Sequence, residues 1–279
     1  MKDGSPFSQI SSIKILLMQI VCLLSTLALF FVPAIEQDPA YHLFVDHRHM
    51  FGIDNFWNVM SNLPFVTLGI CGLVITYFAK HRQQGTVAKE GATVLFTVFF
   101  TGILLTGLGS AYYHYNPTNL TLVWDRLPMT VSFMAFFCMV IGYHMDMKLA
   151  KRLLPYLVVI GLASVLNWIY TEWRGHGDLR AYVLVQFLPL ILVPILISKS
   201  SADFLKSKTI WLVITYYALA KLCEHWDAQM YELFLYISGH SVKHLVAALG
   251  AYIVYLQYKR DFKSSRMMGL DPQCARSVA

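Results

Sequence analysis

The sequence predicts an all-α protein that crosses a membrane several times as a helix bundle. Of its 279 residues, 57% are hydrophobic and only 14% are charged, and the mean hydropathy is +0.53. The apolar residues come in long runs, and about 20 such residues are enough for a helix to cross a bilayer core about 30 Å thick. None of the runs alternates with the two-residue period of an outer-membrane barrel strand, so we expect helices.

Eight apolar runs predict eight helices. In chain order they cover residues 13–34, 57–79, 91–113, 126–145, 152–170, 182–198, 209–224 and 240–258. The first run follows a basic start, which is also typical of a cleaved signal peptide. Because this run is long and the cleavage-site pattern after it is poor, we expect a retained helix, with cleavage as the alternative.

Basic residues concentrate in alternate connections and thereby predict the orientation. They occur in the N-terminal segment (Lys2 and Lys14), at 80–89, at 148–152, at 199–208 and at 259–266. Since cytoplasmic connections carry the excess of Lys and Arg, both termini are expected in the cytoplasm. The connection 35–56 is acidic and is expected on the opposite, outer side.

Two functional classes lack support in the sequence. The net charge of +6 follows from the basic connections, and there is no clustered patch or motif typical of nucleic-acid binding. The cysteines contain no Cys-x-x-Cys pair, so neither a zinc knuckle nor a redox motif is predicted.

Five polar residues are predicted to lie at one depth, near the outer interface. Ser110 and His114 stand four residues apart, hence on one helical face, at the outer end of the third helix. Asp125 is expected to begin the fourth helix, after the connection "YNPTNLTLVW". His240 and His244, in "GHSVKH", are expected in the first turns of the eighth helix. Polar groups at the edge of an apolar span point to a functional site.

Three histidines from two helices fit a catalytic zinc site, in which three protein ligands leave one position open. The His-x-x-x-His spacing supplies two ligands from one helical face. Ser241 stands where many zinc hydrolases have a glutamate base, so Asp125 is the candidate base. Ser110 could hydrogen-bond the metal's water or a developing oxyanion. The alternative is that these residues are merely solvated at the interface.

The order of these residues resembles the alkaline ceramidase family. The resemblance consists of Ser-x-x-x-His, an Asp eleven residues after the His, and a distant His-x-x-x-His in the last helix. "NFWNVMSNLPF", residues 55–65, is similar to the family's entry into its first core helix. This family belongs to a superfamily of seven-helix membrane hydrolases that includes adiponectin-receptor-like proteins. The resemblance implies a seven-helix domain at 41–258, an extra helix within 1–40 and a cytoplasmic tail at 259–279.

The resemblance also implies a zinc-dependent amidase that cleaves ceramide, or a related N-acyl lipid, to a fatty acid and a sphingoid-type amine. His114, His240 and His244 would bind zinc, Asp125 would act as the base and Ser110 would stabilise the oxyanion. The lipid amide would enter from the bilayer into a cavity among the helices. The segment before residue 58 looks like a bacterial branch of the family, which implies a bacterial inner membrane with the active site on the periplasmic side.

A calcium site is a further expectation from this resemblance. The animal enzymes carry an acidic calcium-binding segment that ends in a glutamate, and Asn55 occupies the matching position here. Asp46 and Asp54 still offer the carboxylate oxygens that calcium prefers. The alternatives are a solvated loop or a pair between Asp46 and Arg48.

Other polar residues near the same depth admit two interpretations. Glu224 and His225 could orient metal-bound imidazoles, or they could only cap and solvate a helix end. Ser61 and Asn62 could line the cavity, or they could hydrogen-bond a neighbouring helix.

Two functions other than an amidase remain open at this point. One is a metal-stabilised receptor or sensor with little turnover. The other is a transporter, which is less favoured because transporters place their charges near the bilayer midplane.

Overall fold

A computed structural model describes residues 6–82, 91–198, 200, 202 and 204–269. These residues form α-helices and the segments that connect them, and within them no β-strand occurs. This confirms the predicted all-α polytopic bundle. Lys2, Lys89 and Lys199, which contribute to the predicted orientation, lie outside the described residues.

Most helices follow one another with short connections, and a long segment at 29–55 joins α1 to α2. Their bounds are α1 Pro6–Ala28, α2 Phe56–Met60, α3 Leu63–Arg82, α4 Thr93–Tyr115, α5 Asn119–His144, α6 Met147–Trp173, α7 Arg180–Ile197, α8 Ser207–His225, α9 Asp227–Phe234 and α10 Gly239–Gly269; a short 3-10 helix spans Pro39–His42. Counting α2 and α3 as one passage, the described residues contain the seven-helix core and the extra N-terminal helix.

Five of these passages, among the described residues, are long and apolar enough to cross a membrane: α2 with α3, α4, α5, α6 and α7. This supports a membrane protein. The remaining predicted spans are also helical, but α8 and α10 have lower hydropathy because they carry charged residues such as Lys221, Glu224 and Lys243.

Three predicted helix ends differ most from the structure. The first helix ends at Ala28 rather than 34, because Pro33 disfavours the helical conformation at the residue before it. The last helix continues past 258 to Gly269. The prediction that Asp125 begins the fourth helix is wrong, because α5 begins at Asn119. There the side chain of Thr118 accepts from the amide of Thr121 in a capping box.

The break between α2 and α3 has a local cause. Pro64 has no N–H and cannot donate to the carbonyl of Met60, so the helical hydrogen-bond pattern is interrupted at Ser61 and Asn62. Side chains at this break face the start of α10, as described below.

Packing brings four helix ends together. α4 packs between α3 and α5, α5 packs against α6, and α10 packs against α8 and α3. The end of α4, the start of α5, the start of α10 and the α2–α3 break therefore meet at one end of the bundle. The other end is filled by apolar side chains and stacked rings such as Phe96 and Tyr258, whose centroids are 4.7 Å apart.

A glycine allows α4 and α5 to approach closely beside this meeting point. Pro128 lacks the N–H that would bond the carbonyl of Trp124 one turn earlier, so that carbonyl is free to face α4. A Cβ atom added at Gly109 would lie only 1.9 Å from the Trp124 oxygen. Small residues at helix contacts permit such close backbone packing in membrane proteins.

We expect Gly109→Ala to destabilise the protein, because the methyl group would force α4 away from a backbone atom that cannot rotate aside. Overpacking of this kind costs about 1–3 kcal/mol, which corresponds to a fall in melting temperature on the order of 5 °C. Thermal unfolding in detergent measures it. Gly142→Ala is the matched control, since its nearest neighbours are the flexible end of Met147. Equal melting temperatures for the two variants would contradict the assignment.

Candidate metal centre

Three buried histidines form one cluster at the meeting point of the helix ends. The metal-ligating atoms of His114, His240 and His244 all lie within 4.8 Å of one another. His114 Nε2 and His244 Nε2 are 3.2 Å apart. Two imidazole nitrogens bound to one tetrahedral zinc, each about 2.0–2.1 Å from it, are separated by about 3.3 Å. The spacing therefore fits one shared metal ion.

Ser61, at the α2–α3 break, orients the ring of His244. Ser61 Oγ is 2.8 Å from His244 Nδ1 and donates to the carbonyl oxygen of Asn58 at 3.1 Å. Because the hydroxyl proton is used on Asn58, its oxygen accepts from Nδ1–H of His244. This tautomer leaves a lone pair on His244 Nε2, the nitrogen that faces His114. Partners of this kind fix the orientation of metal-binding imidazoles.

His114 is enclosed on several sides. Its backbone carbonyl accepts from Asn55 Nδ2 at 2.9 Å, and the Phe44 ring packs against it at a centroid distance of 4.8 Å. Its Nδ1 is buried without a hydrogen-bond partner among the described residues. Buried polar atoms rarely lack a partner. The other ring nitrogen of His114, Nε2, faces His244 and is the one that would bind a shared metal ion.

His240 connects the cluster to a charged network. Its backbone N–H donates to Asp227 Oδ1 at 2.7 Å, and its Nε2 accepts from Lys243 Nζ at 3.0 Å. Lys243 in turn pairs with Glu224 at 2.8 Å, and Lys221 pairs with the other oxygen of Glu224 at 2.8 Å.

Glu224 and His225, the two residues that could orient the metal ligands, differ in their contacts. Glu224 reaches His240 through Lys243 rather than directly. His225 is exposed and contacts the ring of Trp226 instead, so the structure does not bring it to the cluster. Exposure at a helix end matches the alternative interpretation for His225.

Tyr41 closes the charged network from the loop side. Its hydroxyl donates to Glu224 Oε1 at 3.2 Å. Burial, followed by the nearby Glu224 carboxylate, raises the pKa of Tyr41 well above its usual value. Tyr41 therefore stays protonated at neutral pH and can act as a donor.

Asp125 and Ser110 lie together beside the histidines. Asp125 is buried in the second turn of α5, and the Ser110 hydroxyl on α4 lies near enough to interact with its carboxylate. Both side chains, together with His244, line one cavity. The residues predicted from spacing thus meet, although Ser110 contacts the carboxylate as well as facing the cavity.

This cavity of about 320 Å³ has a polar and an apolar part. Its polar end is formed by Tyr41, Ser110, Asp125, Arg126, Lys221, Glu224, Lys243 and His244. From there it continues between apolar side chains that include Phe65, Phe99, Ile103, Phe133, Phe136, Val213, Ala247 and Ala251. From Ser110 to Phe99 the wall of α4 extends about 16 Å at 1.5 Å per residue. The shape suits a polar group with a long apolar chain attached.

The predicted calcium ligands do not form a common cluster with a third carboxylate among the described residues. Asp46 is buried, and both of its oxygens accept from Arg48, at 2.8 and 2.6 Å. Asp54 is exposed and pairs with His49 at 2.7 Å. This arrangement matches the alternative to calcium binding, a pair between Asp46 and Arg48. Calcium binding stays a prediction.

Several residues at the site were not identified from the sequence. Phe44 packs against two of the histidines, but nothing in the sequence distinguishes it from the many other aromatic residues. Lys243 and Arg126 stand directly beside predicted site residues, and a charged residue within an apolar helix is itself a signal for function. Ser61 was recognised as polar, but which helix it faces could not be deduced. Asn62 donates to the carbonyl of Asn58 in its own segment.

Comparison with known proteins adds one finding. A family model described as Ceramidase matches residues 46–268, which is most of the chain and includes the histidine cluster, Ser110 and Asp125. No curated protein matches the chain.

Replacing Ser61 with Ala should weaken metal binding about 10- to 100-fold, the usual effect of removing a partner of a metal-bound imidazole. The physical reason is that His244 would lose the hydrogen bond that sets its tautomer. Competition with a chromophoric chelator measures the affinity. Ser164→Ala is the matched control, because Ser164 is buried but bonds only to Gly161 in its own helix. Unchanged affinity in Ser61→Ala would show that Ser61 does not orient the ligand.

Proposed function

The chain belongs to the ceramidase family, hydrolases that act on an amide bond, and on this premise we propose that its histidine cluster binds a zinc ion that serves the hydrolysis. The main support for the proposal is that the histidine cluster borders the cavity. His244, Ser110 and Asp125 line the polar end of a cavity whose remainder is apolar. A lipid amide placed there would have its carbonyl at the histidines and its acyl chain between α3, α4, α5, α8 and α10.

The donor set suits zinc. His114, His240 and His244 offer three imidazole nitrogens, which zinc binds readily, and three protein ligands leave a position open. Zinc in such a site supplies a Lewis acid for the amide carbonyl and lowers the pKa of water to near neutrality. The carboxylates of Asp46 and Asp54 are not part of this set.

Asp125 is the proposed proton carrier. Its carboxylate would accept a proton from the attacking water and deliver it to the amide nitrogen, which must be protonated to leave as an amine. The Ser110 hydroxyl lies beside this carboxylate and interacts with it. Burial excludes bulk water from the proton transfer, because Asp125 is only 9% exposed.

Ser110 is proposed to serve the carbonyl side of the reaction. Its hydroxyl lies one helical turn before His114, on the same face of α4, and lines the cavity together with Asp125 and His244. A donor placed at this point can stabilise negative charge that develops on the carbonyl oxygen.

The proposed substrate is ceramide or a related N-acyl lipid, which would be cleaved to a fatty acid and a sphingoid-type amine. We further propose the orientation that the basic connections predict, with both termini in the cytoplasm of a bacterial cell and the histidines toward the periplasm. The retained first helix has support from packing: α1 lies against α7, and Lys14 donates to the carbonyls of Leu196 and Ser198.

Metal analysis tests the zinc proposal. We expect about one zinc per purified chain, and we expect His240→Ala to lose both the zinc and the release of fatty acid from ceramide. His225→Ala is the matched control, since His225 is exposed on a helix end and should keep both properties. Full zinc content in His240→Ala would show that His240 is not a zinc ligand.

Asp125→Asn separates metal binding from turnover. The amide cannot accept a proton, so kcat should fall about 10²- to 10⁴-fold, while zinc content stays unchanged. Mass spectrometry of released fatty acid measures turnover, with and without a chelator. The control is Asp146→Asn, because Asp146 caps α6 and Asn caps a helix equally well. Normal release of fatty acid by Asp125→Asn would exclude Asp125 as the base.

A further inference from the structure

Arg126 is a buried cation on the cavity wall that the proposed reaction does not use. It follows Asp125 on α5, lines the same cavity and is only 7% exposed. A charged residue at this depth is expensive to keep in a membrane helix unless something compensates it. Its surroundings therefore decide whether it is a structural anchor or a binding group.

Aromatic rings and one amide hold the guanidinium in place. Its carbon atom lies 4.3 Å from the centroid of Trp168, 5.0 Å from Tyr182 and 5.7 Å from Tyr41. Nη2 donates to Gln37 Oε1 at 2.6 Å. Nη1 is buried and has no hydrogen-bond partner among the described residues. The rings fix the plane of the group, and one of its donors is left unmatched.

The charge of Arg126 has no carboxylate in direct contact. Of the two carboxylates on the cavity wall, Glu224 is held by Lys221 and Lys243, and Asp125, the neighbour of Arg126 on α5, interacts with the Ser110 hydroxyl. Within the described part of the chain, no carboxylate lies within 4.0 Å of the Arg126 guanidinium. The wall thus carries three cations against two carboxylates. A buried charge without a partner is unfavourable.

We propose that Arg126 binds an acidic group of the lipid substrate, a phosphate or a carboxylate attached close to the amide nitrogen. This rests on the function proposed above and adds the substrate class: an N-acyl lipid with an acidic head group, in preference to neutral ceramide. The guanidinium matches both acids, because its N–H donors bind their oxygens in a fixed planar geometry. Lys221 and Lys243, on the same wall, contribute positive charge to the head-group end.

The position of Arg126 agrees with this assignment. Arg126 and Asp125 are neighbours on one helix and both line the cavity, so a group bound by Arg126 lies near the amide that Asp125 serves. The apolar part of the cavity accepts the acyl chain, and the acidic group is left at the polar end. A neutral head group would leave Nη1 and the positive charge without a partner.

Binding and turnover together test this proposal. Holoenzyme in detergent is incubated on ice with four lipids of equal acyl length: ceramide, ceramide 1-phosphate, N-palmitoylglycine and palmitic acid. Mass spectrometry counts the bound lipids and their products after removal of free lipid. Internal competition at 25 °C then gives the ratio of kcat/KM values for the acidic lipids and ceramide.

We expect the wild-type protein to retain at least about tenfold more of one or both acidic amides than of ceramide. In the competition it should also hydrolyse that amide in preference to ceramide. Arg126→Gln should lose about 10- to 100-fold of that preference, as expected for a hydrogen bond to a charged group, and the loss is measured as the ratio of kcat/KM values for the acidic amide and ceramide within the same variant. Arg126→Lys should restore part of it. Arg152→Gln, which removes an exposed arginine at the other end of the bundle, is the matched control.

Three results would overturn the proposal. One is equal retention of ceramide and both acidic amides by the wild-type protein, which needs no variant to fold. Another is stronger retention of palmitic acid than of either acidic amide, which would assign Arg126 to the product carboxylate. The third is an equal loss on all lipids in Arg126→Gln, with a lower melting temperature, which would make Arg126 structural. In each case ceramide would still be cleaved, whereas failure of the proposed function would appear as no release from any amide.

Discussion

The contact between His114 and His244 joins residues 130 positions apart, and the arrangement of the bundle is organised around it. Two imidazole nitrogens at 3.2 Å bring the end of α4 against the start of α10. In an apolar bundle such a contact between polar rings is unfavourable unless each ring is satisfied. The surrounding structure supplies such partners for two of the rings, Ser61 for His244 and Lys243 for His240.

Asn58 links most of these partners. It is fully buried, its Nδ2 donates to the backbone oxygen of Asp46, and its Oδ1 accepts from Ser241 on α10 at 2.8 Å. Its backbone carbonyl accepts from Ser61, which orients His244. One asparagine thus connects the acidic loop, the α2–α3 break and the last helix. The segment "NFWNVMSNLPF" that resembles the family's entry helix is the segment that carries this network.

Charge distribution separates the site into two parts. At the histidines the groups are neutral or paired, which suits a metal ion and a proton carrier. On the same cavity wall, Arg126 stands in an aromatic enclosure and two lysines share a single glutamate. The apolar arm of the cavity recognises any long acyl chain, so discrimination among lipids has to come from the polar end. The positive character of this end is the physical basis for selecting an acidic head group.

Much of this protein follows from the sequence by itself. Apolar runs of membrane length are a one-dimensional property, so the helices and their order could be predicted, and the family match confirms the resemblance seen in five spaced residues. Their common depth could also be predicted, since helix direction alternates with each crossing. The start of α5 was placed seven residues too late because a threonine capping box outweighed the turn-forming residues around Pro117.

Only the tertiary structure decided which side chains touch. Sequence spacing gives the depth of a residue and its face on its own helix, but not the rotation of that helix against its neighbours. The closeness of α4 and α5 at Gly109, the contact of Ser61 with His244 and the separation of His225 from the cluster all depend on that rotation. Helix rotation is set by packing among many residues at once, and so the enclosure of Arg126 became visible only in three dimensions.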